Sequence, residues 1–300
     1  MSRYTAVYGF PESADGAARL AAALNVPCHI AELHRFPDGE SLVRLPQPVE
    51  RAVVYRSLDR PNDKLVELLL AASVLRRQGA EHLCLVAPYM AYMRQDAIFR
   101  PGEPVSQTVI GALLAQHFDR FVCVEPHLHR THQLDAVFPG RPATALSGAG
   151  VIAAHLAAER VGDGTVIAGP DEESEPLVRG VAEPLGLPWV VGRKVRRGDR
   201  DVSVELPAAV MAAGLAGRRV VIVDDVISSG ETIISCAAAV RAAGGTVAGV
   251  YGVHALFGDA ARQRFADTGI APVRSADGVP HPSNTLPLAP QIAAVLRDGN

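Results

Sequence analysis

VVIVDDVISSGETIISC, residues 220–236, decides how the rest of the chain is read. Val220 to Val223 form a short apolar run rich in β-branched side chains, the pattern of a strand buried on both faces. Two adjacent carboxylates, Asp224 and Asp225, close that run, and the spacing predicts an acidic turn there. The small residues Ser228, Ser229 and Gly230 follow, then Glu231 and Thr232, and a helix over Ile233–Ala243. The open N–H groups and positive end of a helix favour an anion. Gly230 lets the backbone approach such an anion closely, and the hydroxyls of Ser228, Ser229 and Thr232 add donors. The carboxylates stand where they could hold ribose hydroxyls or a hydrated Mg²⁺. The plain alternative is a strand–turn–helix whose Asp pair only caps the helix.

This segment resembles the phosphoribosyl-pyrophosphate loop shared by type I phosphoribosyltransferases and ribose-phosphate pyrophosphokinases. The loop by itself does not choose between those two groups.

Outward from it, hydrophobic runs and polar loops alternate along all 300 residues. Apolar runs at 4–10, 52–57, 82–87, 121–125, 165–168, 189–191 and 249–256 read as strands. Helical patterns at 13–24, 62–77, 106–117, 149–160 and 260–267 lie between them, and a last helix spans 290–297. Alternation of this kind predicts parallel α/β sheets. Asn62 is the expected N-cap of its helix, and Gly278–Asn284 reads as a linker. The long polar loop after residue 87 suits function, because ligands bind outside strand C-termini in open α/β sheets.

The composition excludes several classes. A net charge of −3 carries no basic nucleic-acid footprint. No apolar stretch approaches the ~20 residues of a membrane span. Four scattered cysteines, without a CxxC, read as buried thiols of a reducing cytoplasm. His127, His129 and His132 invite a zinc reading, but their loop after an apolar run reads better as phosphate chemistry. No GxxxxGK[ST] occurs, so P-loop chemistry is excluded. Of 29 basic residues only Lys64 and Lys194 are lysine, and Lys194 stands in a Gly-flanked basic run, 192–198. Lys64, on a helix of the first half, serves as the bystander for comparison.

FPDGE at 36–40, APYMAYMRQD at 87–96, GEPVS at 102–106, VEPH at 124–127 and the loop at 223–232 occur in this order in one chain. The ordered set resembles the ribose-phosphate pyrophosphokinase family over nearly the full length. The resemblance implies two tandem phosphoribosyltransferase-like (type I) domains, each a mainly parallel sheet flanked by helices. The first, 1–146, would bind ATP, with a C-terminal helix, 288–300, able to fold back on it. The second, 147–287, would bind ribose 5-phosphate. The implied reaction moves the β,γ-pyrophosphoryl group of ATP to the 1-hydroxyl of ribose 5-phosphate, with Mg²⁺ and with AMP leaving. The alternatives are a phosphoribosyltransferase using the same loop and a non-catalytic regulatory subunit.

Carried over position by position, Phe36, Asp38 and Glu40 match an adenine-contacting loop supplied by a neighbouring subunit. That implies a homo-oligomer, at least a dimer and up to a hexamer. Arg94, Gln95 and Asp96 match the ATP-phosphate segment. His127 matches a catalytic histidine near metal and phosphate, and Asp171 matches an acid facing ribose and Mg²⁺. Lys194 and Arg196 match the cationic catalytic pair. Asp224, Asp225, Ser228, Ser229, Gly230, Glu231 and Thr232 match the ribose-5-phosphate loop. The chain departs from the pattern at Glu172, Glu173 and Glu175, where the family usually carries glycines after its acid. Carboxylates beside a polyphosphate repel it unless they turn away or hold metal.

Overall fold

The computed structural model describes residues 4–298 apart from 46, 129, 132, 163 and 197–201, so His129 and His132 lie outside the described residues. The chain divides into two compact units, one of Met1–Leu146 with Gly278–Pro280 and Leu288–Asn300, the other of Ser147–Asp277 with His281–Pro287.

In the first unit the order is β1 (Ala6–Gly9), α1 (Ala14–Leu24), β2 (Cys28–Ile30), β3 (Glu32–Arg35), β4 (Ser41–Arg44), β5 (Arg51–Tyr55), α2 (Pro61–Arg77), β6 (His82–Ala87), α3 (Ser106–Ala115), β7 (Arg120–Val124) and β8 (Ala143–Leu146). The second unit has α4 (Ala149–Ala158), β9 (Thr165–Gly169), α5 (Glu175–Ala182), β10 (Trp189–Val191), β11 (Arg193–Arg196), β12 (Val202–Glu205), α6 (Ala208–Ala213), β13 (Arg219–Ile227), α7 (Glu231–Ala242), β14 (Thr246–Ala255), α8 (Asp259–Asp267), β15 (Val273–Ala276) and β16 (Asn284–Leu286). Helix α9 (Ala289–Asp298) belongs to the first unit and packs on α1, where Arg297 donates to the Ala23 carbonyl.

Each unit holds a six-stranded sheet, ordered β2-β1-β5-β6-β7-β8 and β10-β9-β13-β14-β15-β16. Every pairing in both sheets is parallel. Numbered within its own unit, each sheet reads 2-1-3-4-5-6, with an antiparallel hairpin (β3–β4 or β11–β12) between its second and third strands. The fold is therefore two α/β units of one design, as the alternation of runs implied. Order reverses between the first and third strands, which makes that point the expected ligand crevice in each sheet. Continuous apolar strands such as Leu83–Val86 and Val220–Val223 are fully buried because helices cover both faces of a parallel sheet.

Several local expectations are corrected. Strand β13 does not stop at Val223: it continues to Ile227 because pairing with β14 runs on through Val226↔His254 and Ile227↔Ala255. Helix α2 begins at Pro61, and Asn62 lies inside it, where its side chain accepts from the Tyr92 hydroxyl instead of capping. Lys64 lies buried at 9% exposure and donates to the Ser57 carbonyl at 2.8 Å and the Asp59 carboxylate at 2.7 Å, a structural role within the first unit. The stretch 278–284 is not a loose linker. His281 bonds the Phe257 carbonyl at 2.9 Å and Asn284 starts β16. Strands β8 and β16 are three or four residues long, too short for a periodicity to be read.

Candidate active site

In the second unit the crevice lies between β9 and β13. Pairing of β13 with β9 ends at Ile222↔Ala168, so Asp224 and Asp225 stand on a stretch of β13 that has a neighbour only on the β14 side. Both are partly buried. The Asp224 carboxylate accepts from the Asp225 amide at 3.1 Å, and that of Asp225 accepts from the Val226 amide at 2.7 Å. Asp171 follows β9 and caps the turn after it, its side chain accepting from the Ser174 amide at 3.3 Å. Gly192 lets the β11–β12 hairpin close on this turn, since a Cβ there would stand 2.6 Å from Val204 and 2.9 Å from the Pro170 carbonyl. The hairpin so placed puts the Lys194 ammonium 3.9 Å from the Asp171 carboxylate. Asp171, Glu172, Glu173, Arg193 and Lys194 line an open cavity of about 380 Å³.

The electrostatics tie these groups together. Burial, then Asp225 and then Asp171, push the Asp224 carboxyl well above the usual carboxylate range, with Lys194 acting in the opposite direction. Burial also raises Asp171, against Lys194 and with help from Glu173 and Asp225. Three acids and one ammonium, spread along the sequence from residue 171 to residue 225, thus feel one another. Such perturbed groups in a crevice mark functional sites more often than structural ones. Of the unexpected acids, Glu172 and Glu173 stay at the cavity, while Glu175 turns to Arg179 one helical turn on, at 3.8 Å.

The loop after β13 has the anion-binding shape. Gly230 caps α7 at φ +81°, a conformation that a side chain would strain, and a Cβ there would also meet the Phe265 ring at 2.7 Å. Ser228 and Ser229 are exposed, Thr232 is partly buried, and the Glu231 amide points to the Ser229 hydroxyl at 3.4 Å. Glu231 itself is ion-paired with Arg264 of α8. The backbone of Arg196 lies in β11 opposite Val202, and its side chain lies outside the described residues.

The corresponding crevice of the first unit, between β1 and β5, is filled by the protein itself. Arg56, 2% exposed, follows β5 and pairs with Glu12 at 2.7 Å and Glu67 at 2.5 Å. Its guanidinium lies 3.8 Å from the centre of the Phe10 ring. In place of Gly230, the cap of α2 is Arg60 at φ +49°. The strand end that leads to an anion loop in the second unit is here tied up in a buried ionic network.

The predicted residues of the first unit gather instead beyond β6 and β7. Arg94 is exposed after β6. Gln95 accepts from the Ser106 hydroxyl. Asp96 is turned inward and accepts from Arg130, at 2.8 Å from the guanidinium and 3.2 Å from the amide. Burial works against that carboxylate, yet these bonds hold it below its ordinary range. Asp96 therefore links the loop after β6 to the loop after β7, which carries His127, and is not open to a ligand phosphate. Phe36, Asp38 and Glu40 form the exposed tip of the β3–β4 hairpin, closed by the Phe36 amide on the Glu40 carbonyl at 2.8 Å. No local pattern points to Arg130 or Arg264, whose partners lie 34 and 33 residues away. Arg193 is a different case, since it adjoins Lys194 in the basic run.

Comparison with known proteins agrees with this architecture. A family model described as the N-terminal domain of ribose phosphate pyrophosphokinase matches residues 6–117, and the phosphoribosyl transferase domain matches 146–276. A ribose-phosphate pyrophosphokinase of Methanopyrus kandleri is 33% identical over 93% of this chain and 94% of its own. One from Thermococcus kodakarensis is 34% identical over 87% and 90%. The crystal structure of phosphoribosylpyrophosphate synthetase from Mycobacterium smegmatis superposes with a TM-score of 0.83 at 25% identity, covering 98% of each chain. With both units matched in order and the relatives aligned almost end to end, the chain belongs to the ribose-phosphate pyrophosphokinase family and is an enzyme of that kind.

Proposed function

We propose that this enzyme binds ribose 5-phosphate on the second unit and ATP on the first, and that it transfers the β,γ-pyrophosphoryl group to the sugar 1-hydroxyl. The observation that carries the assignment is the contrast between the two crevices. In the second unit an open cavity lined by Asp171 and Lys194 is coupled electrostatically to Asp224 and Asp225, whose strand runs into the glycine-capped loop, whereas in the first unit Arg56 is buried at the corresponding strand end.

On this reading the amides and hydroxyls of Ser228–Thr232 take the 5-phosphate, and Asp224 and Asp225 accept from the ribose hydroxyls. Arg94 and His127 hold the triphosphate, with Gln95 beside them and Asp96 fixing their two loops through Arg130. Phe36, Asp38 and Glu40 grip the adenine of a neighbouring subunit, which requires a homo-oligomer. Lys194 and Arg196 meet the charge that develops on the transferred group. Phosphoryl-type transfer asks the protein for positioning and charge stabilisation more than for covalent chemistry.

The donor set suits Mg²⁺. Asp171, Asp224 and Asp225 offer only hard oxygen ligands, and the repulsion that raises Asp224 is the kind a divalent cation relieves. Among the described residues no three His, Cys, Asp or Glu side chains form a ready-made cage. That accords with an ion held by one or two carboxylates and completed by substrate phosphates. Bound there with the substrates, Mg²⁺ would neutralise phosphate oxygens. No helix among the described residues is long and apolar enough to cross a membrane, and the cysteines are free thiols, which supports the cytoplasm as the place of work.

The test is AMP release from MgATP. It should depend on ribose 5-phosphate and need no nucleobase; a transferase or a non-catalytic subunit would make no AMP under those conditions.

A further inference from the structure

Glu231 offers its amide to the loop assigned to the sugar phosphate, but the mechanism gives its carboxylate no work. It is the first residue of α7 and adjoins Gly230 and Thr232, so the turn that offers its amides to a phosphate dianion also carries a carboxylate. Like charges that close oppose each other, and the positive end of the helix can serve only one of them fully. The fold answers this from α8. Ala261 and Phe265 lie one turn apart on the face of α8 that presses on Gly230, Phe265 at 2.7 Å and Ala261 at 3.6 Å from the place a Cβ would occupy. Only a glycine cap tolerates that approach. The same approach brings Arg264, the residue before Phe265, into an ion pair with Glu231. Both side chains are partly open to solvent, so the pair is not sealed off from an arriving anion.

We propose that Arg264 is a positioning residue of the phosphate loop, a fixed counter-charge that cancels Glu231 and so lets a loop containing an acid accept the 5-phosphate dianion of ribose 5-phosphate. This rests on the ribose-phosphate reading of the loop. Arg264 acts through Glu231, and the consequence is a double-mutant signature that neither a phosphate ligand nor a purely structural residue would give.

Steady-state kinetics on the full-length enzyme provide the test, with ribose 5-phosphate and MgATP varied separately. Arg264→Gln should raise the KM for ribose 5-phosphate by about tenfold, the size of an effect on charge-assisted contacts. It should leave kcat and the KM for ATP within about twofold. Arg264→Lys, which keeps the charge, should retain most of the affinity. Adding Glu231→Gln to Arg264→Gln should restore the KM to within about threefold of the parent, because the charge needing compensation is gone. Unchanged KM in Arg264→Gln would overturn the proposal. So would a double variant as impaired as Arg264→Gln alone, since Arg264 would then be touching the phosphate itself or bracing the fold. Failure of the broader reading would look different: the parent enzyme would show no AMP release dependent on ribose 5-phosphate at all.

Discussion

Asp224 is a carboxyl whose ionisation works against the fold. Burial, Asp225 and Asp171 raise it well above the ordinary range, so its ionised form is the disfavoured one in the folded enzyme. Below its unfolded value of roughly 3.9 both states hold the proton, and the group costs the fold nothing. As pH rises through the folded value, the unfolded chain ionises more easily and stability is lost. Asp224→Asn cannot ionise. It should therefore melt higher than the parent at neutral pH, the difference shrinking as pH falls towards about 4, while activity is lost. Mg²⁺ should raise the parent's midpoint more than the variant's, since a cation that binds the folded acid cluster stabilises by mass action. Equal melting of the two proteins at neutral pH would contradict this account. Lys64 teaches the opposite lesson at the same scale. It is one of only two lysines, yet its ammonium is spent on Ser57 and Asp59 in the first unit.

At the scale of elements, the β11–β12 hairpin brings Lys194 to Asp171. Its antiparallel register sets Lys194 opposite Val204, and the Val204 amide is tied to the Ser235 hydroxyl of α7 at 2.7 Å. Gly192 is the joint at its base. Gly192→Ala would drive a methyl to 2.6 Å from Val204 and 2.9 Å from the Pro170 carbonyl, so hairpin or turn must move. Overpacking of this kind costs about 1–3 kcal/mol. The variant should remain folded but lose kcat by at least an order of magnitude, because a displacement near 1 Å in a positioned group is enough to do so. A kcat equal to the parent's would mean that the Lys194–Asp171 approach is not part of the chemistry.

For the whole molecule the question is whether the Phe36–Glu40 hairpin serves its own chain or another. Its exposed tip supports action in trans, and complementation decides it. Lys194→Ala alone should lower kcat roughly 100- to 1,000-fold, as removal of a preorganised donor does. Asp38→Ala alone should weaken ATP. Mixed and reassembled together, the two defective proteins should regain activity, since one chain then supplies an intact hairpin and the other an intact Lys194. No recovery on mixing, with mixed oligomers demonstrated, would assign the hairpin to its own subunit.

Hydrophobic runs, their alternation with helical patterns and the ordered motifs determined the fold class, the family and the strand–glycine–helix form of residues 220–236. Each of these is written in neighbouring residues: four apolar positions before Asp224, a glycine that can take positive φ at 230, a turn at Pro37–Gly39. The tertiary structure alone decided what those residues meet. Strand β13 runs past its acids only because β14 continues beside it, Asp96 faces Arg130 across 34 residues, and Glu231 is neutralised from α8. It also decided that one crevice stays open while its counterpart is plugged by Arg56. Backbone preference is local and can be read along the chain. The pairing of charges is fixed by packing between distant segments, for which a single sequence carries no periodic trace.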